Sequence, residues 1–265
     1  MAINSASAQK ENSSKINFPQ QKVFSLPDGA VQIDDSVYKL PQARDPKSGE
    51  LVEGFAIVHR KNPVNFNKPA GLSGAACYGF LATGAKWKVV EPWLVNPANN
   101  SNLAPDFILN NLTKDIGKWE DAADGVVGND KSIDILGVGT ATTTDLSVGY
   151  GKLNGKNEVY FASLADNNTI AITYIWGIFS GSTAKRQLVE WDQVYNTYYS
   201  WSDKGAANKM DFEDIATHEL GHAVGMNDLY QKACNQQTMY GYASLGEIIK
   251  RTLEIGDING ISILY

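Results

Sequence analysis

The stretch "ATHELGHAVGMNDLY", residues 216–230, contains two of the three histidines in this 265-residue chain. His218 and His222 are four residues apart, a spacing that places two side chains on the same face of an α-helix. Both imidazoles can therefore bind one metal ion. Glu219 is rotated by about 100° from His218 around the helix, so its carboxylate can stand beside the ion without binding it. The sequence predicts a metal site with a general base next to it.

The residues on either side define where this helix begins and ends. Asp211 is suited to be its N-cap, because its carboxylate can accept a hydrogen bond from the first helical turn. Gly225 can adopt the left-handed conformation that ends a helix and turns the chain sharply. The turn brings residues 226–230 back toward the metal. We therefore predict Asp228, six residues after His222, as the third ligand through a carboxylate oxygen.

The composition sets the class of protein and excludes some partners. With 43% hydrophobic and 20% charged residues, the chain is typical of a globular protein. Its formal net charge of −6 argues against nucleic acid, which favours a basic surface. No window approaches 18 consecutive apolar residues, so no membrane span is predicted. We expect a monomer.

The N-terminal third divides into a tail and a small unit. Residues 1–20 are polar and are predicted to be a disordered tail. Residues 21–74 form a β-rich segment that ends in a linker rich in Pro, Gly and Asn, 62–74. This segment is too short to bury much core alone. It is either an inhibitory propeptide or a permanent accessory subdomain, and our hypothesis is that residues 21–68 restrain activity.

Residues 75–265 are predicted to form the main domain. Helical spacing of apolar residues appears over 102–123, with Pro105 suited to the first turn. Three strand-like runs follow between 158 and 197, then the histidine helix and a final helical segment within 246–265. The order lacks the regular βαβ alternation of a doubly wound sheet, so the predicted fold class is α+β.

The motif in "HELGHAVGMND" (218–228) resembles the metzincin zinc-protease signature HExxHxxGxxH, with Asp228 in place of the third histidine, as in the snapalysin-like variant. "TMYGYAS" (238–244) resembles the Met-turn of that family, with Met239 as its methionine. The closing segment is similar to that of matrixins, where a helix ends the catalytic domain. The resemblance extends over roughly 85–265 and implies a metzincin-like fold: a twisted mixed sheet, backing and active-site helices, and a small C-terminal subdomain.

The resemblance also implies a mechanism. One catalytic zinc would be held by His218, His222 and Asp228 and would lower the pKa of a water to about 7. Glu219 would take the proton of that water and deliver it to the leaving amine. Asp228 is a harder, anionic ligand, which should make the zinc a weaker Lewis acid than one held by three histidines. The third histidine, His59, lies in a strand-like run and is interpreted as structural.

Substrate recognition is the next implication of the resemblance. Peptide or protein substrates would align by main-chain hydrogen bonds with an edge strand. "VEWDQVYNTYYSW" (189–201) resembles the edge strand that precedes the active-site helix in matrixins. Tyr240 and Tyr242 are candidates for the wall of the pocket just past the scissile bond, and ordinary packing is the alternative. The acidic loop 120–130 offers carboxylates for calcium, although a solvated loop is the simpler interpretation.

Cys77 and Cys234 leave two hypotheses open. Cys77 in "GAACYGF" precedes the main domain, where a propeptide thiolate caps the zinc in a matrixin-like zymogen, but its surroundings do not match the usual "PRCGxPD" motif. The alternative, which we favour, is a Cys77–Cys234 disulfide. A disulfide fits an exported protein. The chain begins without an apolar signal segment, yet "SASAQ" (5–9) resembles what remains near a cleavage site, so secretion is expected and a native cytosolic start is the alternative.

Glu219 distinguishes between the candidate functions. A zinc-dependent endopeptidase needs this base, whereas a structural zinc site is normally closed by a fourth protein ligand and needs none. The leading hypothesis is therefore a zinc endopeptidase. A catalytically inactive, zinc-stabilised peptide-binding module is the main alternative, and a metal hydrolase acting on non-peptide substrates is the third.

Overall fold

The computed structural model describes residues 22–61, 76–129 and 131–265. The predicted tail 1–20 and the predicted linker 62–74 lie outside the described residues. Three α-helices are present in the described part: α1 Pro105–Ala122, α2 Phe212–Ala223 and α3 Ile255–Leu264. Pro105 opens α1 as predicted. The side chain of Asp211 accepts a hydrogen bond from the backbone N–H of Asp214 at 3.1 Å, which confirms Asp211 as the N-cap of α2.

Twelve β-strands occur in the same described ranges. They are β1 Val23–Phe24, β2 Val31–Gln32, β3 Val37–Arg44, β4 Leu51–Lys61, β5 Trp93–Val95, β6 Gly139–Ala141, β7 Asn157–Leu164, β8 Thr169–Ile178, β9 Gln187–Asn196, β10 Trp201–Ser202, β11 Met210–Asp211 and β12 Tyr242–Ala243. Strands and helices are interspersed without βαβ repetition, and the fold is the predicted α+β class.

Ten of these strands form one mixed sheet. Its order is β2-β3-β4-β8-β9-β7-β5-β6, with β1 added to β7 and β12 added to β4. Strand β9 is parallel to β7 on one side and antiparallel to β8 on the other. The expectation that residues 189–201 form an edge strand is therefore wrong. Among the strands from β5 onward β8 is the outermost, and it would be the edge if β4 were absent.

The N-terminal strands join this sheet. Strand β4 pairs antiparallel with β8 along almost its whole length, from Glu53 opposite Gly177 to Arg60 opposite Thr169. Because side chains alternate along a strand, β4 contributes to the cores on both faces of the sheet. Ile57 lies in one core, while Ala56 and Val58 lie in the other. The N-terminal segment is thus packed as a continuation of the sheet of the main domain.

Two indole side chains hold α2 in place. The indole N–H of Trp119 in α1 donates to the carbonyl of Thr217 at 2.9 Å. Trp87 donates in the same way to the carbonyl of Ala223, at the end of α2, at 2.7 Å. Both indoles are buried, so α2 is fixed at its middle and at its end. None of the helices in the described residues combines the length and apolar character that a membrane span requires.

Candidate metal centre

The predicted ligands converge at one point between α2 and the turn that follows it. His218 and His222 are both completely buried, and their rings are 4.9 Å apart between centroids. The Oδ1 atom of Asp228 lies 3.2 Å from the Nε2 atom of His218 and 3.4 Å from the Nε2 atom of His222. The sequence placed these three residues together, and the structure does the same.

The three facing atoms fit a metal ion. The Nε2 atoms of both histidines and the Oδ1 atom of Asp228 are buried, and they have no hydrogen-bond partner among the described residues. Buried polar atoms without partners are rare and costly. A tetrahedron with metal–ligand bonds of about 2.0–2.1 Å has edges of about 3.3–3.4 Å. The two separations from Oδ1 of Asp228 match those edges, and the three residues form one of the metal-ligand groups in the described chain.

The outer nitrogens of both rings are hydrogen-bonded to backbone carbonyls. The Nδ1 atom of His218 lies 2.7 Å from the carbonyl oxygen of Thr238, and that of His222 lies 3.0 Å from the carbonyl oxygen of Met226. Because a carbonyl only accepts, Nδ1 must carry the proton in each ring. The lone pair of each ring is then on Nε2 and points to the centre, as a metal ligand requires.

Asp228 is oriented through its other oxygen. Its Oδ2 atom accepts hydrogen bonds from the hydroxyls of Ser36 and Tyr230, each at 2.7 Å. Burial alone would raise the pKa of Asp228, but the two imidazoles that face its Oδ1 atom hold it well below the usual range. The carboxylate is therefore ionised, with Oδ1 free to bind a cation.

Glu219 is beside the centre and completely buried. Its Oε2 atom accepts a hydrogen bond from the hydroxyl of Thr173 on β8 at 2.6 Å. Its Oε1 atom lies 2.9 Å from the Nδ1 atom of His59. Burial raises the pKa of Glu219 and outweighs the nearby imidazoles of His218 and His222, which lower it. A raised pKa makes the carboxylate a stronger base, which suits proton transfer.

The turn after α2 has the predicted glycine. Gly225 has φ of +106°, in the region that disfavours other residues, and the backbone N–H of Met226 closes the turn on the carbonyl of Gly221 at 2.9 Å. Met239 lies directly beneath the helix: a Cβ added to Gly221 would be 2.2 Å from the Met239 sulfur. The backbone N–H of Leu229 donates to the carbonyl of Met239 at 2.8 Å. Met239 thus contacts both the helix that carries the two histidines and the segment that carries Asp228.

Comparison with known proteins agrees with this geometry. The profile of the matrixin family, Peptidase_M10, matches residues 92–265, more than half of the chain. The chain belongs to the matrixin family. Matrixins are zinc-dependent metalloproteases, so membership supports zinc as the metal and hydrolysis of peptide bonds as the reaction class.

A search of solved structures returns metalloproteinase-II from Bacteroides fragilis. It is 8% identical, with a TM-score of 0.32, and the match covers 83% of this chain and 73% of that one. At that TM-score the likeness is too remote to support any statement about this matrixin. None of the curated proteins matches the chain.

His59 is the site residue that sequence reasoning misplaced. It was interpreted as a structural residue of the N-terminal strand, yet its ring is completely buried and stacks on that of His218, with 3.9 Å between centroids. Burial, followed by the charge of Lys250, lowers the pKa of His59 to about 3. The ring is therefore neutral, and its Nδ1–H donates to Glu219. The sequence offered one indication of this position: His59 is the only histidine of the chain outside the motif.

Ser36, Tyr230 and Thr173 were also missed, because a hydroxyl that orients a carboxylate has no motif. Asp257 belongs with them. Its carboxylate accepts hydrogen bonds from the backbone N–H groups of Thr238 at 2.8 Å and Met239 at 3.2 Å. It therefore fixes the carbonyl of Thr238 that orients His218.

The two candidate pocket tyrosines are adjacent to the centre. Tyr242 is in β12 and buried, and its ring is 5.9 Å from that of Tyr240 and 5.2 Å from that of Tyr230. The ring of Tyr242 therefore lies next to Tyr230, which orients Asp228, and the ring of Tyr240 lies on that of Tyr242. Their role in a substrate pocket stays a prediction.

Cys77 and Cys234 are joined in a disulfide. Of the two hypotheses for these residues, the structure therefore has the disulfide, and no thiol is free in the described residues to cap the metal. In the acidic loop 120–130, Asp121 accepts from the N–H of Gly128, and Asp124 from that of Val126. These carboxylates are used within the loop, and calcium there stays a prediction.

Proposed function

We propose that this matrixin is a zinc-dependent endopeptidase whose metal is held by His218, His222 and Asp228 and whose general base is Glu219. One observation carries the proposal. Three buried ligand atoms without partners lie together, with two of their separations matching the edges of a metal tetrahedron, and a buried carboxylate stands beside them without joining the set. A structural site would use a fourth protein ligand there.

Each residue has a distinct task in this proposal. Zinc bound there would supply Lewis acidity to the scissile carbonyl and to the attacking water. Glu219 would accept a proton from the water and return it to the leaving amine, and its buried setting strengthens it as a base. Thr173 holds one oxygen of Glu219 in place from β8. The Nδ1–H bonds of the two histidines fix their tautomers throughout the cycle.

Peptide or protein chains are the proposed substrates, and β8 is the strand that would align them. Main-chain N–H and C=O groups along a strand can bind an extended peptide of any sequence, while side-chain pockets select among peptides. Tyr240 and Tyr242 are proposed to wall one such pocket. We further propose that the protein is secreted, which the disulfide supports, because disulfides persist in oxidising compartments.

The experiment combines metal analysis with a peptidase assay. Zinc per chain is measured by mass spectrometry for the wild type, His222→Ala and Glu219→Gln. Hydrolysis of casein is measured with and without 1,10-phenanthroline, on the intact chain and on a chain cut at a site-specific protease sequence inserted between Asn67 and Lys68.

We expect one zinc per chain in the wild type and in Glu219→Gln, and loss of zinc in His222→Ala. Turnover in the cut chain should be abolished by phenanthroline and fall by about 10²–10⁴-fold in Glu219→Gln. Zinc without turnover in either form would favour the inactive binding module. Absence of zinc would overturn the ligand set itself. Turnover unchanged in Glu219→Gln would overturn the assigned base.

A further inference from the structure

Two polar side chains interrupt the apolar layer between the sheet and α2. They are Thr173 of β8 and Gln193 of β9, which are directly opposite each other in the antiparallel pair and are both 0% exposed. The residues that flank them on the same face lie in the core that contains α2: Ala171, Ile175, Trp191 and Tyr195. Because an amide is costly to bury in an apolar layer, the position of Gln193 needs a physical reason.

The amide of Gln193 is satisfied at one end only. Its Oε1 atom accepts a hydrogen bond from the hydroxyl of Tyr195 at 3.0 Å. Burial, followed by the charge of Glu219, raises the pKa of Tyr195 well above its usual value, so this hydroxyl keeps its proton and can donate. The Nε2 atom of Gln193 is buried and has no hydrogen-bond partner among the described residues. Buried donors without an acceptor are rare, and internal waters are the usual partners of such groups.

The polar group opposite this amide is the hydroxyl that holds the proposed base. Thr173 donates to the Oε2 atom of Glu219 at 2.6 Å. The hydroxyl oxygen of Thr173 keeps acceptor capacity, because a hydroxyl has one donor and two acceptor sites. Residues directly opposite in an antiparallel pair have their Cβ atoms about 4.5–5.5 Å apart. The polar ends of Gln193 and Thr173 are therefore within reach of one water that bridges them.

We propose that Gln193 is a positioning residue for Glu219, and that it acts through one buried water that accepts from Nε2 of Gln193 and donates to Oγ1 of Thr173. The hydrogen bonds then run in one direction, from Tyr195 through Gln193, the water and Thr173 to the carboxylate. Each donor in such a chain polarises the next one, so the hydroxyl of Thr173 is fixed toward Glu219. The inference rests on the proposed function and adds two residues of β9 behind the base.

A double-mutant cycle separates positioning from packing. Gln193→Met removes the polar atoms of the amide and keeps a long side chain in the core. Thr173→Val removes the hydroxyl, whereas Thr173→Ser keeps it. The constants kcat and KM are measured for each variant with fluorescein-labelled casein, on the chain cut between Asn67 and Lys68. Gln187→Met makes the same change at the start of the same strand and is the matched control.

Gln193→Met should lower kcat about tenfold and leave KM within about twofold, because the base is displaced while the contacts with substrate stay. Thr173→Val should lower kcat by about 10²-fold, and Thr173→Ser should restore most of it. In the Thr173→Val background, Gln193→Met should cause no further loss, since the amide has no hydroxyl left to act on. Gln187→Met should keep both constants.

The melting temperature shows whether the loss of kcat follows from lost stability. Gln193→Met leaves the hydroxyl of Tyr195 without its acceptor and should lower the melting temperature. The double variant Gln193→Met/Tyr195→Phe removes both partners of that bond, so it should melt close to the wild type. Its kcat should stay as low as that of Gln193→Met, because the link to Thr173 is still broken.

A crystal structure of the wild-type protein, at a resolution that shows ordered water, tests the link without any turnover. It should contain one water within hydrogen-bond distance of both Nε2 of Gln193 and Oγ1 of Thr173. In Gln193→Met this water should be lost, and the carboxylate of Glu219 should shift away from Thr173.

Three results would overturn the inference. They are a wild-type structure without this water, losses of kcat that add in the cycle, and a kcat that recovers together with the melting temperature in the double variant. If Gln193→Met does not fold, the double variant takes its place in the cycle. A chain that binds no zinc or hydrolyses no casein counts against the proposed function instead, and the wild-type structure still decides whether a water joins Gln193 to Thr173.

Discussion

Two segments meet at the metal centre and contribute to it differently. The C-terminal segment, 226–265, supplies the proposed ligand Asp228 and also acts through its backbone: carbonyls of Met226 and Thr238 orient the two histidines. The N-terminal hairpin, 31–61, contributes only side chains, from Ser36 and His59. The first set of contacts is what a ligand sphere needs to keep its geometry. The second set comes from a segment that carries none of the three proposed ligands.

This difference separates construction of the site from its closure. Backbone carbonyls of the C-terminal segment are themselves fixed, by Asp257 and by the turn around Met239. Strand β4 is held by main-chain pairing with β8, which another extended peptide can replace. Changes in the C-terminal segment should therefore alter metal affinity and stability in every form of the chain, whereas changes in the hairpin should alter metal affinity only while the hairpin is in place.

The largest effect is expected from the disulfide, which ties the start of the main domain to the C-terminal segment. Its two cysteines are 157 residues apart. The double variant Cys77→Ser/Cys234→Ser should lose about 4–5 kcal/mol of unfolding free energy in the chain-entropy model. Urea unfolding measures this, and reduced wild type is the control. An unchanged midpoint would contradict it.

Asp257→Ala should have the next largest effect. It leaves the buried N–H groups of Thr238 and Met239 without an acceptor, a loss of about 2–3 kcal/mol. Zinc affinity should fall as well, since the carbonyl of Thr238 orients His218. Thermal unfolding and a zinc titration measure the two effects. Wild-type zinc affinity in a destabilised variant would separate stability from construction of the site.

Removing the metal should destabilise the protein by mass action. At a free zinc concentration of 100 times the Kd, binding contributes about 2.7 kcal/mol to the unfolding free energy. A chelator should therefore lower the melting temperature of the wild type. His222→Ala is the control and should melt at the same temperature with or without chelator. An equal chelator effect on both proteins would place the metal elsewhere.

The smallest expected effect concerns the two hydroxyls that donate to Asp228. One comes from each segment, so this pair tests the difference between the segments most directly. Tyr230→Phe and Ser36→Ala each remove a bond of 2.7 Å to the same oxygen. Tyr230→Phe should weaken zinc binding by about 10–100-fold in the intact and the cut chain. Ser36→Ala should weaken it in the intact chain alone.

A zinc titration of both variants in both forms measures the contrast. If Ser36→Ala weakened binding equally in the cut chain after dilution, the hairpin would have to be part of the built site. That result would remove the distinction between the two segments.

The sequence predicted the part of the centre that is local along the chain. His218, Glu219 and His222 share one helix, and Gly225 and Asp228 follow within a single turn, so their proximity depends on backbone geometry alone. Met239 could be placed only through the resemblance to metzincins. These predictions needed no knowledge of how the sheet is ordered.

The contacts of the hairpin could not be predicted in this way. His59 and Glu219 are 160 residues apart, and Ser36 and Asp228 are 192 apart. A strand that reads as β-like can pair with any edge, and periodicity does not choose its neighbour. The prediction that residues 189–201 form an edge strand was wrong for the same reason. The resemblance placed a strand before the active-site helix, but only the order of the sheet shows that β8 lies between this strand and β4.

The pairing of β4 with β8 has a consequence for the lifetime of an open enzyme. Once β4 leaves, the ten residues of Thr169–Ile178, nine of them buried in the closed state, become an uncovered sheet margin without a charged side chain to repel other chains. Such a margin is a template for aggregation.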